Sequence, residues 1–208
     1  MSPFTVLHVC MGNICRSPMA ERLLAKAVAE AAAPMAGSAL IHSHSVGTGG
    51  WHAGEPMHPS AARQVRARGG DPTGFTARQL RPAHVAAADL VLVATVDQQL
   101  HVASLVPEAV SRTFLLGECE RLLPRVPAGT LPPPARDPAG VHARGLALVA
   151  ALDAVRGGAA ARPEDDLDDP WGRGEKLFVR VADRIEATVR PLVAALLAPA
   201  ERVPDPAS

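Results

Sequence analysis

The stretch CMGNICRSP, residues 10–18, joins a short β-rich run, residues 4–9, to a helical segment that extends to about residue 28. Ser17 suits the N-cap of that helix, and Pro18 suits its first position, where the missing N–H removes no hydrogen bond. The sequence therefore predicts a strand, a tight loop and a helix in immediate succession. This order is the opening unit of an α/β fold.

Further strands are predicted at residues 40–45, 89–96 and 112–116. The run DLVLVATV, which begins at Asp89, is apolar almost throughout, as expected of a strand buried on both faces of a parallel sheet. A last amphipathic helix repeats apolar residues every three or four positions from Leu177 to Leu192, and we expect Pro191 to kink or end it. The alternation predicts right-handed βαβ units and an open parallel sheet with helices on both faces.

Composition favours one soluble domain. The 208 residues are 48% hydrophobic, and 21 Lys+Arg balance 21 Asp+Glu, so no overall field favours nucleic acid or an anionic membrane surface. No signal peptide and no membrane-spanning stretch is evident. Three cysteines, two of them at Cys10 and Cys15, do not form a secreted disulfide framework. We therefore expect a cytoplasmic protein without nucleic-acid or membrane partners.

A Pro- and Ala-rich segment, LPRVPAGTLPPPARDPAG, begins at Leu123 and can continue neither a helix nor a strand. A helix-like segment, residues 141–155, and a polar loop follow it. We expect a single domain over residues 1–200 that carries an insertion at about 118–163, and a disordered tail at 201–208.

The opening loop has the chemistry of an anion site. Backbone N–H groups at a helix N-terminus, together with the helix dipole, attract negative charge. Gly12 and Asn13 tolerate the backbone conformations that curl such a loop, and Arg16 offers a planar fork to two phosphate oxygens. The same amides would stabilise a thiolate at Cys10, which could attack phosphorus. This chemistry requires no metal and no cofactor.

The pattern C-x-G-N-x-C-R-S-P-x-A-E, residues 10–21, resembles the signature of the low-molecular-weight protein tyrosine phosphatases. The resemblance implies a Rossmann-like three-layer sandwich with four parallel strands. It also implies that Cys10 is the nucleophile, that Arg16 binds phosphate, that Asn13 holds the loop's shape and that Ser17 is hydrogen-bonded to the thiolate. The other substrate-binding positions of the loop are Met11, Gly12, Ile14 and Cys15. The expected substrate is a phosphotyrosine protein, with inorganic phosphate as product and inhibitor.

The resemblance also implies a general acid in a late Asp-Pro-aromatic motif, because a phenolate leaves poorly without a proton. Two Asp-Pro pairs compete for this role. Asp169 precedes Pro170 and Trp171 and lies just before the last helix, whereas Asp137 lies in the proline-rich stretch, where Asp-Pro is a common turn former. We assign the acid to Asp169.

Two aromatic residues are predicted to form the walls of a cleft for the flat phosphotyrosine ring. Trp171 follows Asp169 by two residues. Trp51 lies in the glycine-rich turn GTGGWHAG, and its alternative role is to anchor that turn. Cys15 is either a small buried residue or the partner of Cys10 in a protective disulfide, as in the family. The histidines between His42 and His58 lack the Cys or acidic ligands of a known metal site.

The chain departs from the family in two respects. Residues 118–163 have no counterpart and could form a lid or a partner-binding flap, and the chain contains no tyrosine, so Trp171 stands where the family usually has one. Three alternative functions remain open. They are a protein-arginine phosphatase, although Ile14 replaces the expected Thr; an arsenate reductase, although Cys119 has no cysteine partner; and a catalytically silent phosphate-binding regulatory module.

Overall fold

The computed structural model describes residues 2–32 and 37–197, and these build a four-stranded parallel sheet. The strand order is β2-β1-β3-β4, and the strands are β1 (Phe4–Cys10), β2 (Ile41–Gly47), β3 (Leu90–Val93) and β4 (Thr113–Leu115). All three neighbouring pairs are parallel. The α/β class and the four predicted strands are confirmed.

Eight α-helices connect and cover the strands within the described residues: α1 (Arg16–Ala32), α2 (Gly37–Leu40), α3 (Pro59–Ala67), α4 (Pro82–Ala86), α5 (Val96–Leu105), α6 (Leu116–Leu122), α7 (Pro138–Arg156) and α8 (Glu175–Leu196). β1 alternates its side chains between two hydrophobic cores. Phe4 and Val6 face the core that α1 and α8 cover, and Leu7 and Val9 face the core beneath α4 and α5. The result is the predicted three-layer arrangement.

Helix α8 runs past Pro191 and ends only at Leu196, so the predicted end of the helix at Pro191 is wrong, while the alternative of a kink there stays a prediction. A proline removes the hydrogen bond to the carbonyl four residues earlier, which here belongs to Ala187. Both residues lie on the exposed face of the helix, where water can bind that carbonyl. The buried face, which includes Ile185, Val189 and Leu192, continues without interruption.

The segment predicted to be an insertion contributes a helix to the main core. After a short 3₁₀ turn, Leu123–Arg125, the chain is irregular until Asp137, whose side chain accepts a hydrogen bond from the Gly140 N–H and caps α7. A Cβ on Gly145 would lie 2.3 Å from the Phe4 ring, so this glycine lets α7 approach the sheet closely. Residues 198–208, which include the predicted disordered tail, lie outside the described residues.

Among the helices of residues 2–32 and 37–197, none has both the length and the apolar character needed to cross a membrane.

Candidate active site

The five-residue loop 11–15 lies at the carboxyl end of β1, between this strand and the N-terminus of α1. Its carbonyls face away from the cavity described below: the Cys10, Met11 and Ile14 oxygens accept hydrogen bonds from the N–H groups of residues 48, 49 and 58. In a trans peptide unit the carbonyl and the next N–H point in opposite directions. The amides of residues 11, 12 and 15 therefore point away from those segments, as an anion cradle requires.

Cys10, at the end of β1, lies at the base of the loop and is only 2% exposed. Its Sγ is 3.0 Å from the Ser17 Oγ, so the hydroxyl can donate to a thiolate formed there. The distance agrees with the role that the sequence resemblance implies for Ser17. The N-terminus of α1 begins six residues after Cys10 and adds positive potential near the sulfur.

Asn13 adopts a left-handed backbone conformation with φ 55°, which no other non-glycine residue among the described ones shares. Its buried side chain donates to the Ser17 Oγ and the Ser45 Oγ, both at 2.8 Å, and accepts from the Arg78 N–H at 2.8 Å. Asn13 thus ties the loop to α1, to β2 and to the segment before α4. Neither Asn13 nor Ser17, both predicted to bind substrate, is among the residues that line the cavity described below.

Three further polar residues support Asn13, and the sequence pattern indicated only one of them. The Ser45 hydroxyl donates to the buried Glu21 carboxylate at 2.7 Å, and Arg78 pairs with the same Oε2 atom at 3.1 Å. Glu21 closes the signature that begins at Cys10, which is the one sequence signal that pointed to it. Ser45 and Arg78 come from distant segments, and only the folded chain brings them together.

Arg16, the first residue of α1, is only 4% exposed. Its Nη1 donates to the Leu167 carbonyl at 3.2 Å, and its Nη2 donates to Asp169 Oδ2 at 2.7 Å. The Nε atom is also buried and has no hydrogen-bond partner in the described part of the chain. The Nε–H is therefore an unused donor that an anion could bind, while the two terminal nitrogens join the cysteine loop to the segment that carries Asp169.

Asp169 and Asp137 occupy different surroundings. Asp169 lies at the cavity, and its second oxygen accepts the Trp171 N–H at 3.1 Å, which fixes the turn that follows. Asp137 is a helix cap on α7 and does not line the cavity. The structure therefore brings Asp169, and not Asp137, to Cys10 and Arg16.

The loop opens into a cavity of about 190 Å³. Its lining comprises Cys10, Met11, Gly12, Ile14, Cys15, Arg16, Trp51, His52, Asp169 and Trp171. Trp51 and Trp171 are 63% and 62% exposed, which leaves their ring faces available to a flat ligand. Trp51 also lies against Gly49, where a Cβ would clash with its ring, so it contributes to the glycine-rich turn as well as to the cavity. No residue of the insertion at 118–163 lines this cavity.

His52 was not anticipated as a cavity residue. Its Nδ1 lies 2.7 Å from Glu55 Oε2, a contact that orients the ring. A Cβ placed on Gly12 would lie 3.0 Å from the imidazole, so glycine at position 12 lets His52 approach the loop. The only sequence signal was its position next to Trp51.

The remaining cysteines are buried thiols. Burial, with a smaller contribution from Cys10, raises the pKa of Cys15 to about 12, and burial raises the pKa of Cys119 to about 12. Cys119 lies on α6 and does not line the cavity. Within residues 2–32 and 37–197, no cluster of three or more His, Cys, Asp or Glu side chains is arranged to hold a metal ion.

Loop amides, a buried guanidinium and a thiol at the base suit a tetrahedral anion, and a carboxyl lies at the edge of the cavity. The class of protein that this arrangement indicates is an α/β protein with an anion-binding cysteine loop. A family model described as "Low molecular weight phosphotyrosine protein phosphatase" matches residues 5–122, more than half of the chain. The chain belongs to this family, as its signature predicted.

Individual proteins agree with this assignment. The chain is 35% identical over 117 residues to the probable low molecular weight protein-tyrosine-phosphatase EpsP of Ralstonia nicotianae, covering 56% of this chain and 73% of the relative. It is 43% identical over 89 residues to low molecular weight protein-tyrosine phosphatase A of Mycobacterium bovis, covering 43% of this chain and 52% of that relative. Relatives carrying this family name are hydrolases, so the prediction of an enzyme of the family is confirmed.

Solved structures confirm the fold. YfkJ from Bacillus subtilis superposes with a TM-score of 0.64 at 22% identity and covers 94% of this chain and 95% of its own. The YwlE arginine phosphatase from Geobacillus stearothermophilus superposes with a TM-score of 0.60 at 21% identity and covers 92% of this chain and 91% of its own. Identities this low support the shared architecture alone. The family match ends at residue 122, so Asp169 lies outside it.

Proposed function

We propose that this chain is a protein-tyrosine phosphatase that hydrolyses phosphotyrosine monoesters through a phospho-cysteine intermediate. The Cys10 thiolate attacks phosphorus and forms an S–P bond, while the bond from phosphorus to the phenolic oxygen breaks and Asp169 protonates the leaving phenolate. Asp169 then accepts a proton from water, whose oxygen attacks phosphorus and breaks the S–P bond. Inorganic phosphate leaves, and Cys10 returns to the thiolate.

The observation that carries this proposal is the 2.7 Å hydrogen bond between Arg16 and Asp169. The two residues are 153 positions apart in the sequence, yet the bond brings the acid segment to the phosphate-binding loop. A carboxyl that contacts the phosphate-binding guanidinium lies beside the group whose leaving oxygen must be protonated. The amides of the loop and the guanidinium would hold the three equatorial oxygens through the transition state.

The walls of the cavity favour an aryl ester. Trp51 and Trp171 offer two exposed ring faces, and Ile14 is a further apolar residue of the lining. A phenyl ring gains from contact with such surfaces. We therefore infer phosphotyrosine proteins as substrates, with inorganic phosphate as product and competitive inhibitor.

The proposal also covers the location of the enzyme, its cofactor requirement and its protection from oxidation. We infer a cytoplasmic enzyme that acts without metal or cofactor and functions as one unit over residues 1–200. Cys15, next to Cys10 in the cavity lining, would protect the nucleophile: peroxide would oxidise Cys10 to a sulfenic acid, and the Cys15 thiol would condense with it to a disulfide and release water. Loss of activity in peroxide that dithiothreitol reverses in the wild type, but not in Cys15→Ser, tests this step.

The decisive experiment measures hydrolysis of a phosphotyrosine peptide in the presence of EDTA. We expect turnover by the wild type, none by Cys10→Ser, and a decrease of roughly 100-fold or more in kcat for Asp169→Asn, because the leaving phenolate then departs without a proton. Asp137→Asn is the matched control, since it changes the other Asp-Pro pair, and it should retain wild-type activity.

The same assay with other substrates separates the alternatives. Turnover of phosphoarginine without turnover of phosphotyrosine would replace the proposal with a protein-arginine phosphatase. Thiol-dependent reduction of arsenate would indicate an arsenate reductase, for which the buried Cys119 is poorly placed because it lies outside the cavity. Phosphate binding without turnover of any of these substrates would indicate a regulatory module.

A further inference from the structure

The segment that carries Asp169, which we call the acid loop and define as residues 164–174, is anchored to the sheet at two points. The Leu167 N–H donates to the Ala94 carbonyl at 2.8 Å, just beyond the end of β3. Asp166 Oδ1 accepts the Val96 N–H at the start of α5 at 2.9 Å. Both contacts hold residues 166 and 167 of the acid loop at the carboxyl edge of the sheet.

A third anchor lies on the opposite side of the acid loop, outside the cavity. The Asp165 side chain is nearly inaccessible, and both of its oxygens are hydrogen-bonded. Oδ1 accepts from Arg121 Nε at 3.1 Å, and Oδ2 accepts from Arg121 Nη2 at 2.6 Å and from the Arg162 N–H at 2.8 Å. This is the bidentate geometry in which a guanidinium fixes a carboxylate in both position and orientation.

The helix that supplies Arg121 also contacts the acid loop through its backbone. Gly117 lies one turn before Arg121 on the same face of α6. A Cβ on Gly117 would lie 2.6 Å from the Asp165 carbonyl oxygen and 2.9 Å from its Cα. The absence of a side chain at position 117 therefore lets α6 lie directly against the loop that Arg121 binds.

The electrostatic balance keeps this anchor charged. Burial raises the pKa of Asp165, but hydrogen bonds from Arg121 and from the Arg162 N–H lower it by more, so the net pKa lies below the usual value. The carboxylate is ionised at neutral pH, and it faces a guanidinium whose own pKa is raised, chiefly by the same hydrogen bonds. A buried pair that loses one partner leaves an uncompensated charge, so the acid loop would not keep this position without it.

We propose that Arg121 and Asp165 are positioning residues for the general acid, and that they hold the acid loop so that the Asp169 carboxyl reaches the leaving oxygen. The inference rests on the proposed phosphatase function and adds to it a device outside the cavity. Asp165 precedes Asp169 by four residues, and the anchors at Asp166 and Leu167 lie between them. Because Asp166 and Leu167 directly follow Asp165, a shift at Asp165 also displaces these two anchors, and through them Asp169.

The test compares two substrates that differ in their need for an acid. Phenyl phosphate releases a phenolate that must be protonated, whereas 2,4-dinitrophenyl phosphate releases one that leaves unaided. For Asp165→Asn we expect kcat/KM on phenyl phosphate to fall by about tenfold or more, and on dinitrophenyl phosphate by less than about threefold. The double variant Asp165→Asn/Asp169→Asn should be no slower on phenyl phosphate than Asp169→Asn alone, because the positioned group is already gone.

Controls separate this effect from general damage. Asp153→Asn breaks another Arg–Asp pair, with Arg156 on α7, and it should leave both substrates unaffected. Arg121→Lys keeps the charge but loses the planar fork, so it should show the same selective loss, and it replaces Asp165→Asn if that variant does not fold. Equal losses on the two substrates, no loss on either, or full additivity with Asp169→Asn would overturn the proposal.

The experiment also distinguishes a failure of this inference from a failure of the proposed function. Cys10→Ser must abolish hydrolysis of both esters if the phospho-cysteine route operates. Residual turnover by Cys10→Ser would refute the route itself. Complete loss in Cys10→Ser, combined with substrate-independent behaviour of Asp165→Asn, would refute only the positioning role.

Discussion

Replacing Asn13 would test how the loop is held in the shape that binds phosphate. The residue is fully buried, has φ 55° and is the one asparagine in the sequence. Two substitutions separate its two contributions. Asn13→Gly removes the three side-chain hydrogen bonds but accepts the left-handed backbone, whereas Asn13→Ala removes the same bonds and adds a Cβ that this conformation disfavours.

The expected magnitudes follow from those contacts. Each of the three hydrogen bonds contributes about 1 kcal/mol net, so Asn13→Gly should lower the free energy of unfolding by about 3 kcal/mol. The left-handed conformation costs an alanine about 1 kcal/mol more than a glycine, so Asn13→Ala should lower it by about 4 kcal/mol. Both variants should also bind inorganic phosphate more weakly and lose kcat/KM, because the amides of the loop no longer converge.

Equilibrium unfolding in urea, followed by circular dichroism, measures the two free energies, and competitive inhibition measures phosphate binding. Ser104→Ala, which removes an exposed hydroxyl bonded to a local carbonyl, is the control and should change stability by less than about 0.5 kcal/mol. Stability within about 1 kcal/mol of wild type for both Asn13 variants would refute the structural role of the hydrogen bonds. Equal stability of the glycine and alanine variants would refute the contribution of the backbone conformation.

Three further predictions concern the sheet and the cavity. Gly47→Ala should reduce both phosphate affinity and kcat/KM, because its Cβ would lie 2.7 Å from the Met11 carbonyl oxygen, and unchanged kinetics would contradict this. Burial, followed by the charge of a neighbouring imidazole, lowers the pKa of His8 from 6.5 to about 3. Because the pKa of His8 is lower in the folded chain, only the unfolded chain binds the proton as the pH falls below 6.5, and His8 should lower the free energy of unfolding by about 2 kcal/mol from pH 7 to pH 5. Urea unfolding of wild type and His8→Leu at both pH values tests this, since the variant's free energy of unfolding should fall by about 2 kcal/mol less than that of the wild type. Trp171→Ala and Trp51→Ala should each raise KM for a phosphotyrosine peptide by about tenfold without changing inhibition by inorganic phosphate, and a parallel change in both constants would refute their role as walls for the ring.

The sequence predicted the parts of the site that lie close together along the chain. The signature from Cys10 to Glu21 predicted the strand, the loop and the helix, because these elements depend on local glycine and dipole effects. The predicted N-cap at Ser17 is wrong, since the helix begins at Arg16. The pattern Asp-Pro-Trp before an amphipathic helix predicted where the acid segment lies. The catalytic roles of these residues remain predictions, which the variants described above test.

Contacts between distant segments could not be predicted from local sequence patterns. The support of Asn13 by Ser45 and Arg78 depends on the register of β2 beside β1, which no local pattern specifies. The bond of Arg121 to Asp165 joins residues 44 positions apart. The sequence left the role of residues 118–163 open, and in the structure α7 packs into the main core, because its apolar residues find a covered face beside Phe4. For Pro191, the solvent exposure of Ala187, which decides whether the helix can continue, becomes evident only in the folded chain.

The contact between Arg16 and Asp169 has a consequence for the order of events in a catalytic cycle. In this structure the positive charge meant for the substrate is already neutralised by the acid. A phosphate dianion that binds Arg16 would compete with Asp169 for the Nη2 donor, and a ligand of lower charge would compete for it less well. Under the proposed mechanism, the phosphate that binds the guanidinium is thus the group that frees the carboxyl to move toward the leaving oxygen. Binding of the substrate and release of the acid would then be two sides of one exchange of partners on Arg16.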